Sequence, residues 1–158
     1  MNEVVAPANL ATVMDDLFSV GIVRTRNEWR DKIFQLQDCL MQFDNQLGIP
    51  PVNRFCNGVY ARELFLPKGS IIVGKIHRHE HLNIISCGSV TVVTEDGLET
   101  LTAPHTFISK PGTKRVVYAH QDSIWTTIHP TNETDVDKIE EQIICKDYSE
   151  IELLTAPL

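Results

Sequence analysis

The chain has 158 residues, 42% of them apolar, which is enough to build the hydrophobic core of one ordinary domain. Its 14 lysines and arginines are outnumbered by 21 aspartates and glutamates, and the net charge of −7 argues against broad binding to nucleic acid or to an anionic membrane. No basic segment followed by an apolar stretch opens the sequence, and no apolar run reaches the roughly 18 residues that span a bilayer. We therefore expect a cytoplasmic protein whose four scattered cysteines are reduced thiols.

Residues 1–50 are predicted to form a helical extension. Five apolar residues recur with the spacing of one face of an amphipathic helix, and these are Trp29, Ile33, Leu36, Leu40 and Phe43. Thr25 or Asn27 is suited to cap the start of this helix, and Gly48 with the two prolines that follow marks its end. A shorter helix is predicted over residues 10–20. We expect the apolar face of the longer helix to pack against the rest of the domain or against another subunit.

From Val59 to about His129 the sequence is a succession of short runs rich in β-branched and aromatic residues, separated by Gly, Pro and Asp. Eight strands are predicted, over residues 59–66, 70–77, 82–86, 89–95, 98–102, 105–109, 114–119 and 123–129. Short strands at this spacing are typical of an antiparallel sandwich or a small barrel rather than of alternating β and α units. The β domain is therefore assigned to residues 51–130.

The C-terminal region, residues 131–158, is predicted to contain a short acidic helix and a tail. Thr131 or Asn132 is suited to cap the helix. Because acidic residues predominate in it, we expect its charges to form a solvent-exposed face.

Three of the six histidines, His77, His79 and His81, fall within five residues. Since side chains alternate across a strand, Lys75 and His77 point the same way at the end of the second predicted strand, and the other two histidines follow in or beyond the turn. Clustered imidazoles are suited to bind a divalent transition metal such as Zn, Mn, Fe or Ni. The alternative is that some of these histidines are solvent-exposed turn residues.

The spacing around these histidines resembles the first motif of the cupin superfamily, in which Gly, His-x-His, Glu and Gly recur at fixed intervals. In this chain Gly69, Lys75, His77, His81 and Gly88 occupy those positions with the spacing preserved. Two identities differ, because a lysine stands at the first histidine position and a histidine replaces the glutamate.

The second cupin motif is matched less closely. The turn Lys110-Pro111-Gly112 is present, while Arg115 takes the histidine position and Ala119 the asparagine position. The resemblance covers residues 59–129 and implies a mainly β, cupin-type double-stranded β-helix, or jelly-roll barrel, with the motif residues facing its interior. N-terminal helices and a short C-terminal helix complete this fold, and the family resemblance also implies a homodimer or larger homo-oligomer.

The sequence also resembles a group of small cupin-like proteins encoded by bacteriophages. The phrases that carry this likeness are VYARELFLPKGS, VGKIHRHEHLNIIS, SKPGTKR and IWTTIHPTNETD. No assigned role accompanies that group, so this likeness implies a fold and a viral or bacterial source.

A metal site in this register is incomplete, because Arg115 has no lone pair to donate and Lys75 is protonated unless its pKa is strongly lowered. The predicted metal ligands are His77, His79 and His81. The donor that the motif positions lack has to come from His79, from Asn83 or His129, or from a neighbouring subunit.

The same residues also predict an anion site. Lys75 and Arg115, beside His77 and His81, form a cationic cavity suited to a phosphate or carboxylate, which an arginine can bind through two oxygens at once. Stacking surfaces and further donors are expected from Tyr60, Arg62, Tyr118 and Trp125.

Three functions remain open on the sequence. The leading hypothesis is a protein that binds a small anionic ligand and sequesters a metabolite or nucleotide. The second is a metal-dependent enzyme, an oxygenase or isomerase, that uses the histidine cluster. The third is a structural or virion-associated module. No nucleophile motif, phosphate-binding glycine loop or basic-aromatic stripe for single-stranded nucleic acid is present in the sequence.

Overall fold

The computed structural model describes residues 5–7 and 25–155, so the helix predicted over residues 10–20 lies outside the described residues. The strands are β1 Val5–Pro7, β2 Val52–Cys56, β3 Val59–Leu66, β4 Ser70–Val73, β5 Ile76–His77, β6 His81–Cys87, β7 Ser89–Thr94, β8 Gly97–Thr102, β9 His105–Ser109, β10 Val116–Ala119, β11 Ser123–Pro130 and β12 Ile144–Cys145. The helices are α1 Arg26–Met41, α2 Val136–Ile143 and α3 Tyr148–Thr155. In this part of the chain no helix is long and apolar enough to cross a membrane.

Two five-stranded antiparallel sheets form the body of the domain. Sheet 1 has the order β1-β4-β10-β7-β8, and sheet 2 has the order β2-β3-β11-β6-β9. Strand β3 pairs with β11, β4 with β10, β6 with β9 and β7 with β8. Along the chain these pairs are nested: the first of the eight strands pairs with the last, the second with the second-last, and so on to the central pair. This is one long hairpin rolled into two sheets, which is the double Greek-key topology of a jelly roll. The predicted fold class is confirmed.

The main hydrophobic core lies between the two sheets. Strand alternation directs every second side chain inward, and the sheets meet through aliphatic residues and one tryptophan. The members of this core are Leu64, Leu66, Ile72, Ile85, Val90, Val92, Leu101, Val117, Ala119 and Trp125. The core fills one end of the barrel and leaves the other end for polar side chains.

Helix α1 covers the outer face of sheet 1. Thr25 caps its start through a capping box with Glu28, in which each side chain accepts a hydrogen bond from the other residue's backbone N–H. The buried helix residues Trp29, Ile33 and Leu40 pack against sheet residues Ile71, Val73, Val93 and Val116. The helix therefore buries its apolar face within its own chain.

Helix α1 ends at Met41, earlier than the sequence pattern predicted. The amide of Gln46 donates hydrogen bonds to the carbonyl oxygens of Leu40 (2.7 Å) and Phe43 (3.2 Å), which satisfies carbonyl groups at the helix C-terminus. Phe43, predicted on the apolar face, is therefore exposed.

The segment predicted as one strand over residues 70–77 is divided into β4 and β5. At the division, Gly74 N–H donates to the carbonyl of Arg115 at 2.9 Å, and the chain then leaves sheet 1. Strand β5 pairs instead with β12, with Ile144 opposite His77 and Cys145 opposite Ile76. The sequence analysis did not predict β1, β2 or β12.

The C-terminal region packs beside the open end of the barrel. Asp135, rather than Thr131 or Asn132, caps α2, because its carboxylate accepts hydrogen bonds from the backbone N–H groups of Asp137 and Lys138. Helix α2 packs its buried Ile139 and Ile143 against Tyr60 of β3, and β12 joins β5 immediately afterwards.

The contact between α1 and sheet 1 predicts a large difference between two substitutions in the same helix. Ile33→Ala removes a fully buried side chain and is expected to lower the free energy of unfolding by about 2–5 kcal/mol. Met41→Ala removes an exposed side chain and is expected to change it by less than about 0.5 kcal/mol. Urea unfolding measures both, and equal effects would contradict the packing of α1 on the sheet.

Candidate functional site

Three histidine side chains meet at the polar end of the barrel. His77 ends β5, His81 begins β6, and His129 lies near the end of β11, which neighbours β6 in sheet 2. Their ring centroids are 4.1 Å apart for His77 and His81, 4.8 Å for His81 and His129, and 5.3 Å for His77 and His129. One ring nitrogen from each of the three histidines can be chosen so that the three nitrogens lie within 4.8 Å of one another.

This cluster contains two of the three predicted metal ligands, His77 and His81. His79 is exposed in the turn between β5 and β6, and its backbone carbonyl contacts the ring of His81. The third imidazole belongs to His129, which the sequence analysis named as an alternative donor. Strand alternation could have given it more weight, because His129, Thr127 and Trp125 share the inward face of β11.

Hydrogen bonding fixes which nitrogen of His81 is free. Its Nδ1 lies 3.3 Å from the carbonyl oxygen of His79. Because a carbonyl oxygen only accepts, Nδ1 carries the proton and Nε2 keeps its lone pair. The Nε2 atoms of His81 and His129 are both buried without a hydrogen-bond partner among the described residues. A buried polar atom left unsatisfied costs about 1–3 kcal/mol, so a further group that paired with both of these nitrogens would stabilise the protein.

The imidazoles are held neutral by their surroundings. Desolvation by burial, followed by the neighbouring His81 and His129, lowers the pKa of His77 well below its ordinary value. Burial is also the main cause that lowers the pKa of His81 to about 4 and that of His129 to about 3. Neutral imidazoles present lone pairs, so the donor set fits a divalent transition metal such as Zn, Mn, Fe or Ni.

Arg115 lies beside the cluster as a buried cation. It precedes β10, and its Nη1 donates to Asn83 Oδ1 at 3.4 Å while its Nη2 donates to Ser109 Oγ. The guanidinium carbon lies 5.5 Å from the ring centroid of Trp125 and 5.6 Å from that of Phe107. Burial lowers the pKa of Arg115 to about 10, so it stays charged at neutral pH. Among the described residues it forms no ion pair with a carboxylate, which leaves its charge without a counter-ion.

Asn83 organises the surroundings of Arg115. Its Oδ1 also accepts a hydrogen bond from Trp125 Nε1 at 3.0 Å, and its Nδ2 donates to Ser109 Oγ at 2.8 Å. The side chain of Asn83 is fully buried. All of these polar groups are neutral, so the network holds the guanidinium in place without cancelling its charge.

Lys75 is placed differently from Arg115. Its Nζ forms an ion pair with Glu140 Oε1 of α2 at 3.0 Å, and both side chains are mostly buried. Glu140 is a residue that sequence reasoning missed, because the acidic helix was expected to face solvent. No local signal marks it, since only the pairing of β12 with β5 brings α2 to this end of the barrel.

A cavity of about 60 Å³ runs from the histidines into the barrel. It is lined by Arg62, Leu64, Leu66, Ile72, Gly74, Lys75, His77, His81, Asn83, Arg115, Val117, Trp125 and Thr127. Of the residues predicted to bind the ligand, Tyr60 and Tyr118 are not part of this lining. The ring of Tyr60 stacks behind His129 with centroids 6.1 Å apart, and its hydroxyl donates to Asn53 Oδ1 at 2.7 Å. Tyr118, predicted as a further donor, contacts His120 and the helix-covered face of sheet 1 instead.

Comparison with solved structures gives matches whose names include cupin proteins. A cupin-2 domain-containing protein from Shewanella frigidimarina is 14% identical, with a TM-score of 0.44 over 60% of this chain and 90% of that one. A cupin superfamily protein from Desulfitobacterium hafniense is 10% identical, with a TM-score of 0.45 over 52% of this chain and 76% of that one. An acetylacetone dioxygenase from Acinetobacter johnsonii is 14% identical, with a TM-score of 0.42 over 51% of this chain and 58% of that one.

No protein-family model and no curated protein matches the sequence. The assignment of the jelly roll therefore depends on the strand order described above.

The lowered pKa values predict a pH-dependent stability in the metal-free protein. As the pH falls below about 6.5, the unfolded chain takes up protons that the folded histidines resist, so the free energy of unfolding decreases until the folded pKa is reached. Between pH 7 and pH 5 this amounts to about 2 kcal/mol for each of His81 and His129. Urea unfolding in the presence of a chelator measures it.

The matched variant for this measurement is His129→Gln, which keeps a polar side chain without a titrating ring. Between pH 7 and pH 5 the free energy of unfolding of this variant is expected to decrease by about 2 kcal/mol less than that of the parent, because the contribution of one histidine is missing. Parallel pH profiles for the two proteins would show that His129 is not held neutral by the fold.

Proposed function

We propose that the protein binds a divalent transition metal through His77, His81 and His129, and a small anion beside it through Arg115. The observation that carries the proposal is the pair of buried Nε2 atoms, on His81 and His129, that have no hydrogen-bond partner among the described residues. Both belong to rings that are neutral at physiological pH. A metal ion would supply the missing partner to each nitrogen.

The donor set suits a site with room for a ligand. Three imidazoles leave at least one coordination position for water or another molecule, as in catalytic metal sites with three protein ligands. When bound, such a metal acts as a Lewis acid toward an oxygen-bearing ligand. The protein's own part is to present the three lone pairs and to hold His81 in one tautomer through the carbonyl of His79.

The charges of the cavity favour an anion. Arg62, Lys75 and Arg115 line it, and no aspartate or glutamate does. Glu140 neutralises Lys75 from outside the cavity, whereas Arg115 pairs only with neutral groups. A carboxylate or phosphate can accept two hydrogen bonds from the guanidinium and cancel its charge.

The size of the cavity limits which part of a ligand enters. A single water needs roughly 10–15 Å³, so a cavity of about 60 Å³ accommodates a group of a few heavy atoms. The charged end of a metabolite or nucleotide, its carboxylate or phosphate, fits within this limit. The remainder of a larger ligand would lie outside the barrel.

A second candidate function is an anion-binding pocket that needs no metal. The observation in its favour is that Arg115 lies close enough for its charge to contribute to the lowered pKa of both His77 and His81, and the same charge opposes a metal cation. An oxygenase or isomerase requires the metal, whereas a structural module requires neither ligand. Metal and anion binding, measured separately, distinguish these cases.

Metal binding is tested on protein purified without a histidine tag. We expect one transition-metal ion per chain by elemental analysis or on titration. His129→Gln is expected to weaken the affinity for the metal about 100-fold or more. Loss of a group that hydrogen-bonds to a metal ligand costs about 10–100-fold in affinity, and loss of a ligand itself costs at least as much. His79→Gln is the matched control, since that side chain is exposed beside the cluster, and it should bind metal as the parent does.

A parent protein that neither carries a transition metal nor takes one up on titration would contradict the metal part of the proposal. Equal losses in His79→Gln and His129→Gln would contradict the assignment of the third ligand.

Anion binding is tested with inorganic phosphate by calorimetry. Arg115→Met keeps an unbranched side chain and removes the guanidinium with its charge. It is expected to weaken binding about 10- to 100-fold, since a hydrogen bond to a charged group contributes about 1.5–3 kcal/mol. Lys110→Met, at an exposed lysine, is the control. Unchanged affinity in Arg115→Met would exclude the anion role, and equal affinity with and without metal would favour the second candidate function.

A further inference from the structure

Beside the histidine cavity the barrel has a second and larger opening, between the edges of its two sheets. Among the described strands, β8 ends sheet 1 and β9 ends sheet 2. The opening between them has a volume of about 500 Å³, whereas the cavity at the histidines has about 60 Å³. Pockets of about 300–1,000 Å³ are typical of sites for drug-sized ligands. We call this opening the edge groove, and its lining includes Thr94, Glu99, His105, Phe107, Ser109 and Arg115.

Arg115 lines both the edge groove and the histidine cavity. It lies two residues before the inward-facing Val117, so its side chain is on the inner face of sheet 1. Because Val116 pairs with Val93, the register places Arg115 opposite Thr94, which also lines the groove. A ligand in either compartment therefore lies against the same buried cation.

The inner face of β8 does not continue the hydrophobic core along its whole length. Leu101 faces inward and is buried in the core. Glu99 lies two residues earlier on the same face, opposite the buried Val92, yet it is exposed. A carboxylate at an inward position of two packed sheets stays in solvent only where the facing sheet does not cover it. The sheets are therefore apart at this edge, and the groove is a gap that the core leaves open.

The opposite wall of the groove carries two rings in succession. His105 and Phe107 lie two residues apart on β9, with ring centroids 5.7 Å apart and an angle of 36° between the ring planes. Both are half-buried, and Phe107 contacts Trp125 edge to face at 5.5 Å, which fixes its position. Neighbouring rings along one wall present a surface on which a planar ring can stack.

The groove has a cation on one side and a carboxylate on the other. Two steps across the strands β10, β7 and β8 and two positions along them separate Arg115 from Glu99. At about 4.8 Å per strand and about 3.3 Å per residue, their backbones are roughly 12 Å apart. The guanidinium donates instead to Asn83 and Ser109 of sheet 2. A ligand that contacts both charged groups needs a body between two polar ends.

We infer that the edge groove holds the body of an anionic ligand whose phosphate or carboxylate lies on Arg115, and that this body is a planar ring bearing hydrogen-bond donors. The ring stacks on His105 and Phe107, and its amino or hydroxyl groups donate to the carboxylate of Glu99. The inference rests on the proposed anion site at Arg115, to which it adds the class of ligand and its place in the fold.

Two kinds of molecule share this chemistry. A nucleoside monophosphate combines a phosphate with a planar base and with donors on the base and the ribose. An amino-substituted aromatic acid combines a carboxylate with a ring and one donor group. Adenosine monophosphate and 4-aminobenzoate are the probes for these two sources.

The test compares each ring-bearing probe with its own head group by calorimetry on the full chain. Adenosine monophosphate is compared with inorganic phosphate, and 4-aminobenzoate with acetate. We expect at least one ring-bearing probe to bind about tenfold or more tighter than its head group, since stacking and donor contacts add to the contact with Arg115. The pair that shows this advantage identifies the ligand as an organic phosphate or as an aromatic carboxylate.

Substitution of His105 tests the stacking wall while leaving Arg115 in place. His105→Ser removes one ring and is expected to reduce the advantage of the ring-bearing probe about fivefold or more, without changing the affinity for its head group. His105→Phe is the matched variant, because it keeps a ring at this position, and it should keep the advantage. Circular dichroism checks the fold of each variant.

Substitution of Glu99 tests the far side of the groove with a result of opposite sign to simple electrostatics. Removal of a negative charge favours any anion, so Glu99→Val should not weaken binding of the head group. The same variant is expected to weaken the ring-bearing probe about tenfold, because the acceptor for its donors is lost. Thr100→Val, whose side chain points to the other face of the same strand, is the control and should bind as the parent does.

The outcomes separate this inference from the proposed function. Phosphate binding that depends on Arg115, with no advantage for either ring-bearing probe, would leave the proposed function in place and overturn the inference. Equal affinity of the ring-bearing probe for His105→Ser and His105→Phe, with no loss in Glu99→Val, would also overturn it. Unchanged affinity of every probe in Arg115→Met would contradict the anion site itself.

Discussion

The pairing of β3 with β11 is the constraint on which the rest of the barrel depends. It runs over eight residue pairs, from Ser123 opposite Leu66 to Pro130 opposite Val59, and it joins the two ends of the rolled hairpin. Because the paired segments are far apart in sequence, forming this contact costs loop-closure entropy that the rest of the barrel offsets. It sets His129 opposite Tyr60 and carries Trp125 to the cavity, so the register of one strand pair determines both the core and the site.

The interior of the barrel combines two electrostatic conditions that are rarely found together. Burial holds three imidazoles neutral, and in the same cavity it encloses a guanidinium without an acidic partner among the described residues. Both conditions are unfavourable for an empty protein, since unpaired polar atoms and uncompensated charges each destabilise a fold. Neutral imidazoles suit a metal ion, and an unpaired guanidinium suits an anion. We therefore infer that this cavity binds ligands and is not only a part of the packed core.

Local patterns predicted most of the barrel because its strands are short, β-branched and bounded by turn residues. Strand β3 and strand β9 have the predicted limits, and α1 begins at the predicted Thr25 cap. The features that local patterns could not predict depend on pairing between segments far apart in the sequence. Strand β12 has only two residues and exists through β5, and Glu140 reaches Lys75 only because that pairing positions α2.

The site shows the same division. Proximity along the chain suggested His79, yet a residue in a turn is free to point away, whereas His129 is directed inward by the alternation of a long, fully paired strand. The sequence pattern of β11 therefore placed His129 on one face with Trp125 and Thr127, but the register of the sheet was needed to show that this face is the inner one.

The short ladder between β5 and β12 gives the C-terminal region an energetic connection to the interior of the barrel. His77 is at once a member of the histidine cluster and the residue paired with Ile144. A ligand that immobilised the imidazole of His77 and bound more tightly when this ladder is formed would, by thermodynamic linkage, stabilise the docking of α2 and α3. Substitutions that weaken the packing of those helices would then weaken ligand binding in the cavity by the same free energy.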